Sequence, residues 1–377
     1  MRKKKEKLSI AMIGQKRIPS REGGIEVVVE ELSTRMAEMG YDVICYNRSG
    51  NHVSGKQFNK EKLKNYKGVK IRNVLTIDKR GLAAVTSSFF AAINAAFGKV
   101  NIVHFHAEGP CAMIWIPKIF GKKCVATIHG LDHQREKWGN FASKYIKFGE
   151  KMAVKYADEI IVLSEDVKKY FLQEYERETC LIPNGVVKPQ IKGINNIKKL
   201  YCLEGQDYFL YLGRIVPEKG IHYLIKAFLN VTTDKKLIIA GGVSDSSEYL
   251  KYLYKIVADD SRVIFTGFVQ DELLEELYSN AYVYVLPSDL EGMPLSLLEA
   301  MSYGNCCLVS NISECTDVVE DNAIIFEKGN VDDLRKKMQY LNDNKNIVKT
   351  MKITASDFIC NKYNWEDIVE NTLNIYS

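Results

Sequence analysis

Tyr208-Phe-Leu-Tyr-Leu-Gly-Arg-Ile-Val-Pro-Glu-Lys-Gly-Ile-His-Tyr-Leu-Ile-Lys-Ala-Phe-Leu229 reads as a short apolar strand, a glycine turn, a charged loop and an apolar-faced helix. The strand portion, 208–212, is continuously apolar rather than alternating, which marks a strand covered on both faces. A helix over 221–229 follows it. The same unit recurs along the chain. Segments 236–240, 263–266, 282–286, 305–309 and 323–326 read as further strands. Helical patterns at 246–258, 270–279, 295–302 and 331–342 lie among them. The first half has the same style, with strands at 8–13, 42–46, 69–74, 102–106, 123–128 and 159–163 and helices at 24–39, 83–97, 139–156 and 165–174. Strand and helix in alternation imply α/β architecture with a doubly wound parallel sheet, here twice.

Between the halves stands Pro183-Asn-Gly-Val-Val-Lys-Pro189, turn chemistry followed by a polar stretch to about residue 199. The expected organisation is a first Rossmann-like domain over 1–190 and a second over 191–360. Ligands of open α/β sheets bind beyond the carboxyl ends of the strands, so function is expected in a cleft between the two domains.

Composition narrows the classes. The chain has 377 residues, 46% hydrophobic and 26% charged, enough to bury large cores and against disorder. No apolar run approaches the roughly 18–20 residues that cross a bilayer. The basic start, with Arg2, Lys3, Lys4, Lys5 and Lys7, runs into an apolar segment too short for a secretory leader. Nine cysteines are scattered through apolar segments without a Cys-x-x-Cys pair, which fits a reducing cytoplasm. Charge is uneven: residues 1–200 carry 36 basic and 20 acidic side chains, against 16 and 27 in the remainder. A basic half predicts a polyanionic partner. Nucleic acid is the least favoured, because the basic residues lack a known reading module.

Gly-x-Gly-x-x-Gly is absent, so a nicotinamide enzyme is not expected. After the first strand comes Gly14-Gln-Lys-Arg-Ile-Pro-Ser-Arg-Glu-Gly23-Gly24, whose paired glycines open a helix. They allow close backbone approach to an anion at the helix N-terminus, or form a plain turn. In the second half Arg214 and Lys219 share one loop beyond a strand. A guanidinium fork and a compact ammonium can clamp a diphosphate there. Pro287-Ser-Asp-Leu-Glu291-Gly-Met-Pro294-Leu-Ser-Leu-Leu-Glu299-Ala-Met-Ser-Tyr-Gly304 is the sharpest element. Pro294 suits a helix start and Gly304 its end. Apolar residues cover nearly the whole circumference, so Glu299 is an acid on a buried helix that requires donors, such as vicinal ribose hydroxyls. Glu291, on the loop before it, reads as a second hydroxyl acceptor. The alternatives are a structural salt bridge for Glu299 and a solvated Glu291.

The Glu291–Glu299 segment resembles the Glu-x7-Glu signature of the retaining glycosyltransferases of family 4, which have the GT-B fold. Gly213-Arg214 with Glu218-Lys219-Gly220, the Gly23-Gly24 pair, Thr127-Ile-His129-Gly130 and Ile182-Pro-Asn184-Gly-Val186 follow in that family's order and spacing. The resemblance implies a nucleotide-diphosphate sugar as donor substrate and no metal. It implies that Arg214 and Lys219 bind the donor diphosphate and that Glu299 holds the ribose. Glu291 would contact the donor sugar, with the backbone of Gly292, Met293, Pro294 and Leu295 beside it. Gly23 and Gly24 would meet the phosphates and His129 the transferring sugar. It also implies that a final helix, within 361–377 and opened by Trp365-Glu366, returns to the first domain. The sequence departs from the family in Gly292-Met293-Pro294, shorter than the common form, and in Val187-Lys188 after Asn-Gly-Val.

His104-Phe-His106 and His129 with His133 invite a metal reading, but no acidic or Cys partner stands at ligand spacing; buried histidines are the better account of His104, His106 and His133, whereas the strand-end position and the motif favour a functional His129. Trp138, Phe141, Tyr145, Phe148 and Met152 form one helical stripe, flanked by Lys137, Lys144, Lys147, Lys151 and Lys155. That stripe is either core or, with Arg2 to Lys7, a peripheral contact with an anionic membrane surface. The resulting expectation is a cytoplasmic glycosyltransferase acting on a glycan or lipid-linked acceptor in bacterial surface-polysaccharide assembly. Its rivals are a sugar-nucleotide epimerase or hydrolase on the same frame, which would turn over donor without acceptor, and a non-catalytic nucleotide-sugar-binding subunit.

Overall fold

A computed structural model describes the chain except residues 1–7, 53, 56–57, 59–62, 80, 132–139 and 243–246. The chain divides into two compact units: unit 1 comprises Met1–Asn184 with Trp365–Ser377, and unit 2 comprises Gly185–Asn364. Each is a Rossmann-like α/β domain.

Unit 1 is built on strands β1 (Ser9–Ile13), β2 (Asp42–Arg48), β3 (Asn65–Tyr66), β4 (Val69–Val74), β5 (Ile102–His106), β6 (Lys123–Ile128), β7 (Glu159–Val162) and β8 (Cys180–Leu181). Their order is β3-β4-β2-β1-β5-β6-β7-β8, parallel throughout except the short β3–β4 edge. Strands β1 and β5 are buried along their whole length, as the continuous apolar runs require. Helices α1 (Gly24–Glu38), α2 (Leu82–Phe97), α3 (Glu108–Cys111), α4 (Trp115–Ile119), α5 (Asn140–Tyr156) and α6 (Glu165–Tyr175) make the crossovers. Ser164 caps α6, accepting from the Val167 amide at 3.4 Å, with Glu165 and Asp166 in the first turn where the dipole favours acids.

In unit 2, helix α7 (Asn196–Tyr201) precedes β9 (Tyr208–Leu212), α8 (Ile221–Phe228), β10 (Lys236–Ala240), α9 (Ser247–Val257), β11 (Val263–Gly267) and α10 (Asp271–Asn280). Then follow β12 (Val283–Leu286), α11 (Leu295–Ser302), β13 (Cys306–Ser310), α12 (Ser313–Val319), β14 (Ile324–Phe326), α13 (Val331–Asp343) and α14 (Lys345–Lys362). The six-stranded sheet runs β11-β10-β9-β12-β13-β14, all parallel. The final helix α15 (Trp365–Tyr376) belongs to unit 1, where Glu366 pairs with Arg35 of α1 at 2.9 Å.

One feature departs from the sequence reading. The polar stretch to about residue 199 is not all linker, because α7 stands in it. Buried Glu276 of α10 stabilises the start of α7, accepting from the amides of Asn195 and Ile197, each at 3.0 Å. The aromatic stripe on α5, left open between core and surface by the sequence, is partly covered where it is described. Ile146, Gly149, Glu150 and Ala153 are buried, whereas Tyr145 and Met152 are half-buried and Phe148 is 50% exposed. Trp138, Lys137, His133 and Arg2 to Lys7 lie outside the described residues, as does the Phe141 side chain.

Candidate functional site

In unit 2 the chain leaves β9 towards β10 and β11, then returns to β12 on the other side of β9. The loops after β9 and β12 therefore open at the topological switch point, where such sheets bind ligands. These loops carry Arg214 with Lys219 and Glu291 respectively. Glycine makes their close approach possible. Gly220 has φ +64°, and a Cβ there would stand 1.9 Å from the Pro287 carbonyl oxygen. At Gly241, after β10, a Cβ would stand 1.8 Å from the Gly213 carbonyl oxygen. A hydrogen bond from the Asp289 amide to the Glu218 carbonyl, 2.9 Å, ties the two loops together.

Lys219 and Glu291, 72 residues apart, form an ion pair with side chains 12% and 6% exposed. Glu291 also accepts from the Ser288 hydroxyl at 2.7 Å. Glu291 is thus a buried, paired acid, not a solvated one. Arg214 is half-buried, and its guanidinium makes no hydrogen bond or ion pair with a described residue. Its backbone carbonyl accepts from the Tyr211 hydroxyl at 2.9 Å. Neighbouring Glu218 is buried on the same turn, and neither carboxylate oxygen accepts a hydrogen bond from a described residue. This loop therefore holds a cation without a counter-ion beside a cation that has one.

Helix α11 begins directly after Pro294 and ends before Gly304, whose φ is +74°. Leu297, Leu298, Ala300 and Met301 are buried, Leu295 and Glu299 half-buried. The Glu299 carboxylate accepts from the Tyr278 hydroxyl at 3.2 Å. Gly292, Met293 and Pro294 are buried between the two acids. The partners Ser288 and Tyr278 are missing from the sequence reading. Ser288 sits three residues before Glu291 and could have been suspected. Tyr278 lies on another helix, and no spacing points to it.

In unit 1 the switch point falls between β1 and β5. Gly14, φ +124°, ends β1 so close to β5 that a Cβ would stand 2.2 Å from the His106 carbonyl oxygen. Gly23 caps α1 in extended conformation and Gly24 opens the helix. Buried Glu26 stands in that first turn, accepting from the Lys16 amide at 2.8 Å. Burial pushes its carboxyl up, but the Lys16 charge and amide, with Arg48, outweigh this and hold it below the ordinary value. The helix N-terminus thus already has an internal carboxylate nearby.

His129 follows β6, and its Nε2 lies 3.1 Å from Nδ1 of His106. His106 is fully buried, with Nε2 bonded to no described residue. Its ring lies tilted by 30° against that of His104, with centroids 4.2 Å apart. His104 is held from both sides, by Tyr376 of α15 at 2.6 Å and by Thr127 at 2.7 Å. Burial depresses both imidazoles, His104 to about 3 and His106 well below its ordinary value, so both are neutral. Ala107, between His106 and Glu108, has φ +74° and ψ 156°, a conformation that strains a residue with a Cβ. Among the described residues, no group of three or more His, Cys, Asp or Glu side chains is placed to hold a metal ion.

Residues 22–187 match the family described as Glycosyltransferase Family 4, and residues 194–365 match Glycosyl transferases group 1. An uncharacterised glycosyltransferase of Methanocaldococcus jannaschii is 24% identical over 361 residues, 94% of each chain. The UDP-Gal:alpha-D-GlcNAc-diphosphoundecaprenol alpha-1,3-galactosyltransferase of Escherichia coli is 27% identical over 296 residues, 74% of this chain and 75% of its own. The Anabaena protein HepE, solved with UDP and glucose, superposes with a TM-score of 0.80 at 15% identity, covering 97% of this chain and 98% of its own. Sucrose-phosphate synthase from Thermosynechococcus elongatus gives 0.79 at 19% identity, covering 98% of each chain. At these identities the superpositions establish the fold alone.

Proposed function

Because the chain belongs to the GT-B-fold glycosyltransferases, we propose that it is a retaining, metal-independent enzyme of family 4. It moves a sugar from a nucleotide-diphosphate donor to a hydroxyl of a glycan or lipid-linked acceptor. The observation that carries the donor assignment is Arg214, a half-buried guanidinium with no counter-ion among the described residues, at the switch point beside the Lys219–Glu291 pair. A diphosphate supplies the missing anion. Arg214 and Lys219 stabilise the negative charge that grows on the leaving phosphate, assisted by the backbone at the start of α11. Glu299 takes the ribose hydroxyls and Glu291 those of the sugar, along the Gly292–Met293–Pro294–Leu295 backbone.

The bond between the anomeric carbon and the phosphate oxygen breaks, and the acceptor oxygen bonds to that carbon on the same face. The acceptor proton passes to the leaving phosphate, giving a nucleoside diphosphate and a glycoside of unchanged anomeric configuration. The name of the Escherichia coli relative, which specifies a diphosphoundecaprenol-linked acceptor, supports a lipid-linked acceptor here and a role in surface polysaccharide. Cysteines scattered without a Cys-x-x-Cys pair and a basic first half favour a cytoplasmic enzyme peripheral to the membrane.

Purified protein screened against UDP-, GDP-, ADP- and dTDP-sugars tests this reading. One nucleotide raises the melting temperature, and transfer to an acceptor in a lipid extract gives a product with the donor's anomeric configuration. Fast conversion without acceptor would instead identify an epimerase or hydrolase. Binding without turnover in any extract would identify a non-catalytic subunit.

A further inference from the structure

Helix α2 has no charged residue: Leu82-Ala-Ala-Val-Thr-Ser-Ser-Phe-Phe-Ala-Ala-Ile-Asn-Ala-Ala-Phe97. Its small residues Ala91, Ala92, Ala95 and Ala96 pack inwards. Its outer face carries Leu82, Phe89 and Phe97, exposed by 46%, 39% and 72%. Those positions are seven and eight residues apart, hence on one helical face. Helix α4 packs beside α2 and extends the face with Trp115, Ile119 and Phe120, exposed by 38%, 67% and 50%. The Phe97 and Phe120 rings meet at 4.6 Å and join the two helices into one surface. Scattered exposed apolar side chains are ordinary, but six large ones on two adjoining helices are not.

Lysines surround the Phe97–Phe120 end. Lys99 is exposed, Lys122 reaches the Gly98 carbonyl at 2.8 Å, and Lys118 stands on α4 itself. The acid among them, Asp158, is paired with Lys118 and accepts from the Cys124 amide at 2.7 Å. At the far end, Asp78 is bonded to Asn51 at 3.0 Å. An aromatic, aliphatic face with lysines at one end complements an anionic membrane surface, with rings at the headgroup level and Lys99 and Lys122 against lipid phosphates. A second copy fits less well, since a two-fold contact centred on the Phe97–Phe120 pair would bring lysines against lysines.

We propose that the α2–α4 face docks the protein on anionic lipid. This assigns membrane contact to a surface other than the α5 stripe and the basic first residues. The assay is flotation of the full chain with vesicles of phosphatidylglycerol and phosphatidylcholine, compared with phosphatidylcholine alone. The wild type partitions onto the anionic vesicles about tenfold more strongly, and the difference shrinks as salt is raised. Phe97→Ser with Phe120→Ser lowers that partition about tenfold or more at unchanged melting temperature, because both rings are already exposed. Lys99→Glu with Lys122→Glu removes the anionic preference. Absence of vesicle binding, or binding equal in wild type and the double phenylalanine variant, would overturn the proposal. So would a dimer in sedimentation that the same variant dissolves, since the occupant would then be a second copy. The measurement uses neither donor nor acceptor, so its failure leaves the transferase reading standing and failure of that reading leaves it intact.

Discussion

Arg214 and Lys219 carry the same charge on the same loop, yet their surroundings give them different substitution phenotypes. Arg214 has no protein counter-ion among the described residues, so Arg214→Ala abolishes most turnover and leaves the melting temperature within about 2 °C of wild type. Lys219→Ala abolishes turnover and also strands the buried Glu291 carboxylate. Breaking a buried pair from one side costs about 3–5 kcal/mol, or roughly 10 °C for a unit of this size. Lys219→Met with Glu291→Gln regains most of that stability without regaining activity; thermal melts and turnover of the four proteins check both statements. The histidine column has a pH signature. His104 titrates near 3 when folded and near 6.5 when unfolded, so its contribution to stability is complete above about pH 6.5. It is lost as pH falls from there towards 3, by about 1.4 kcal/mol per pH unit, and buried His106 adds to the slope in the same direction. Urea unfolding at pH 7.5 and 5.5 measures it, and His104→Asn flattens the dependence.

Among the elements, the glycines at strand ends do what no side chain could. Gly220→Ala must fit a methyl group 1.9 Å from the Pro287 oxygen at positive φ, so the loops bearing Lys219 and Glu291 separate. The expected result is lost nucleotide binding in a protein that still folds, read by calorimetry and circular dichroism. Strands and most helices were legible because period and apolar continuity are local properties. The 69–74, 102–106, 123–128, 208–212 and 236–240 strands and the 295–302 helix coincide with the sequence reading. Helix α14 was not legible. Its buried residues Val348, Ala355 and Ile359 stand seven and four apart amid lysine, threonine and asparagine, leaving too sparse a stripe. Helices α3 and α4 are too short to show a period at all. At the candidate site, the acids and cations were legible as a spaced set. The Lys219–Glu291 pairing, the Tyr278–Glu299 bond and the His106–His129 contact were not, because each joins residues whose proximity is decided by strand order.

At the scale of the whole molecule, two units with separate cores are joined by a chain that returns to its first unit. Trp365, 2% exposed, anchors that return, and Tyr376 closes it on His104. Trp365→Ala therefore costs about 3–5 kcal/mol in unit 1 and leaves nucleotide binding by unit 2 unchanged at low temperature. Calorimetric melts, with and without nucleotide, separate the two effects. The central claim is that unit 2 holds a nucleoside diphosphate through Arg214 at the switch point of its sheet. Titration calorimetry of UDP, GDP, ADP and dTDP into wild type and Arg214→Ala tests it most directly. One of the four is expected to bind, and removing the guanidinium to weaken it by about ten- to a hundredfold, the value of a charged hydrogen bond. Equal affinity in the two proteins, or no binding by any of the four, would contradict it.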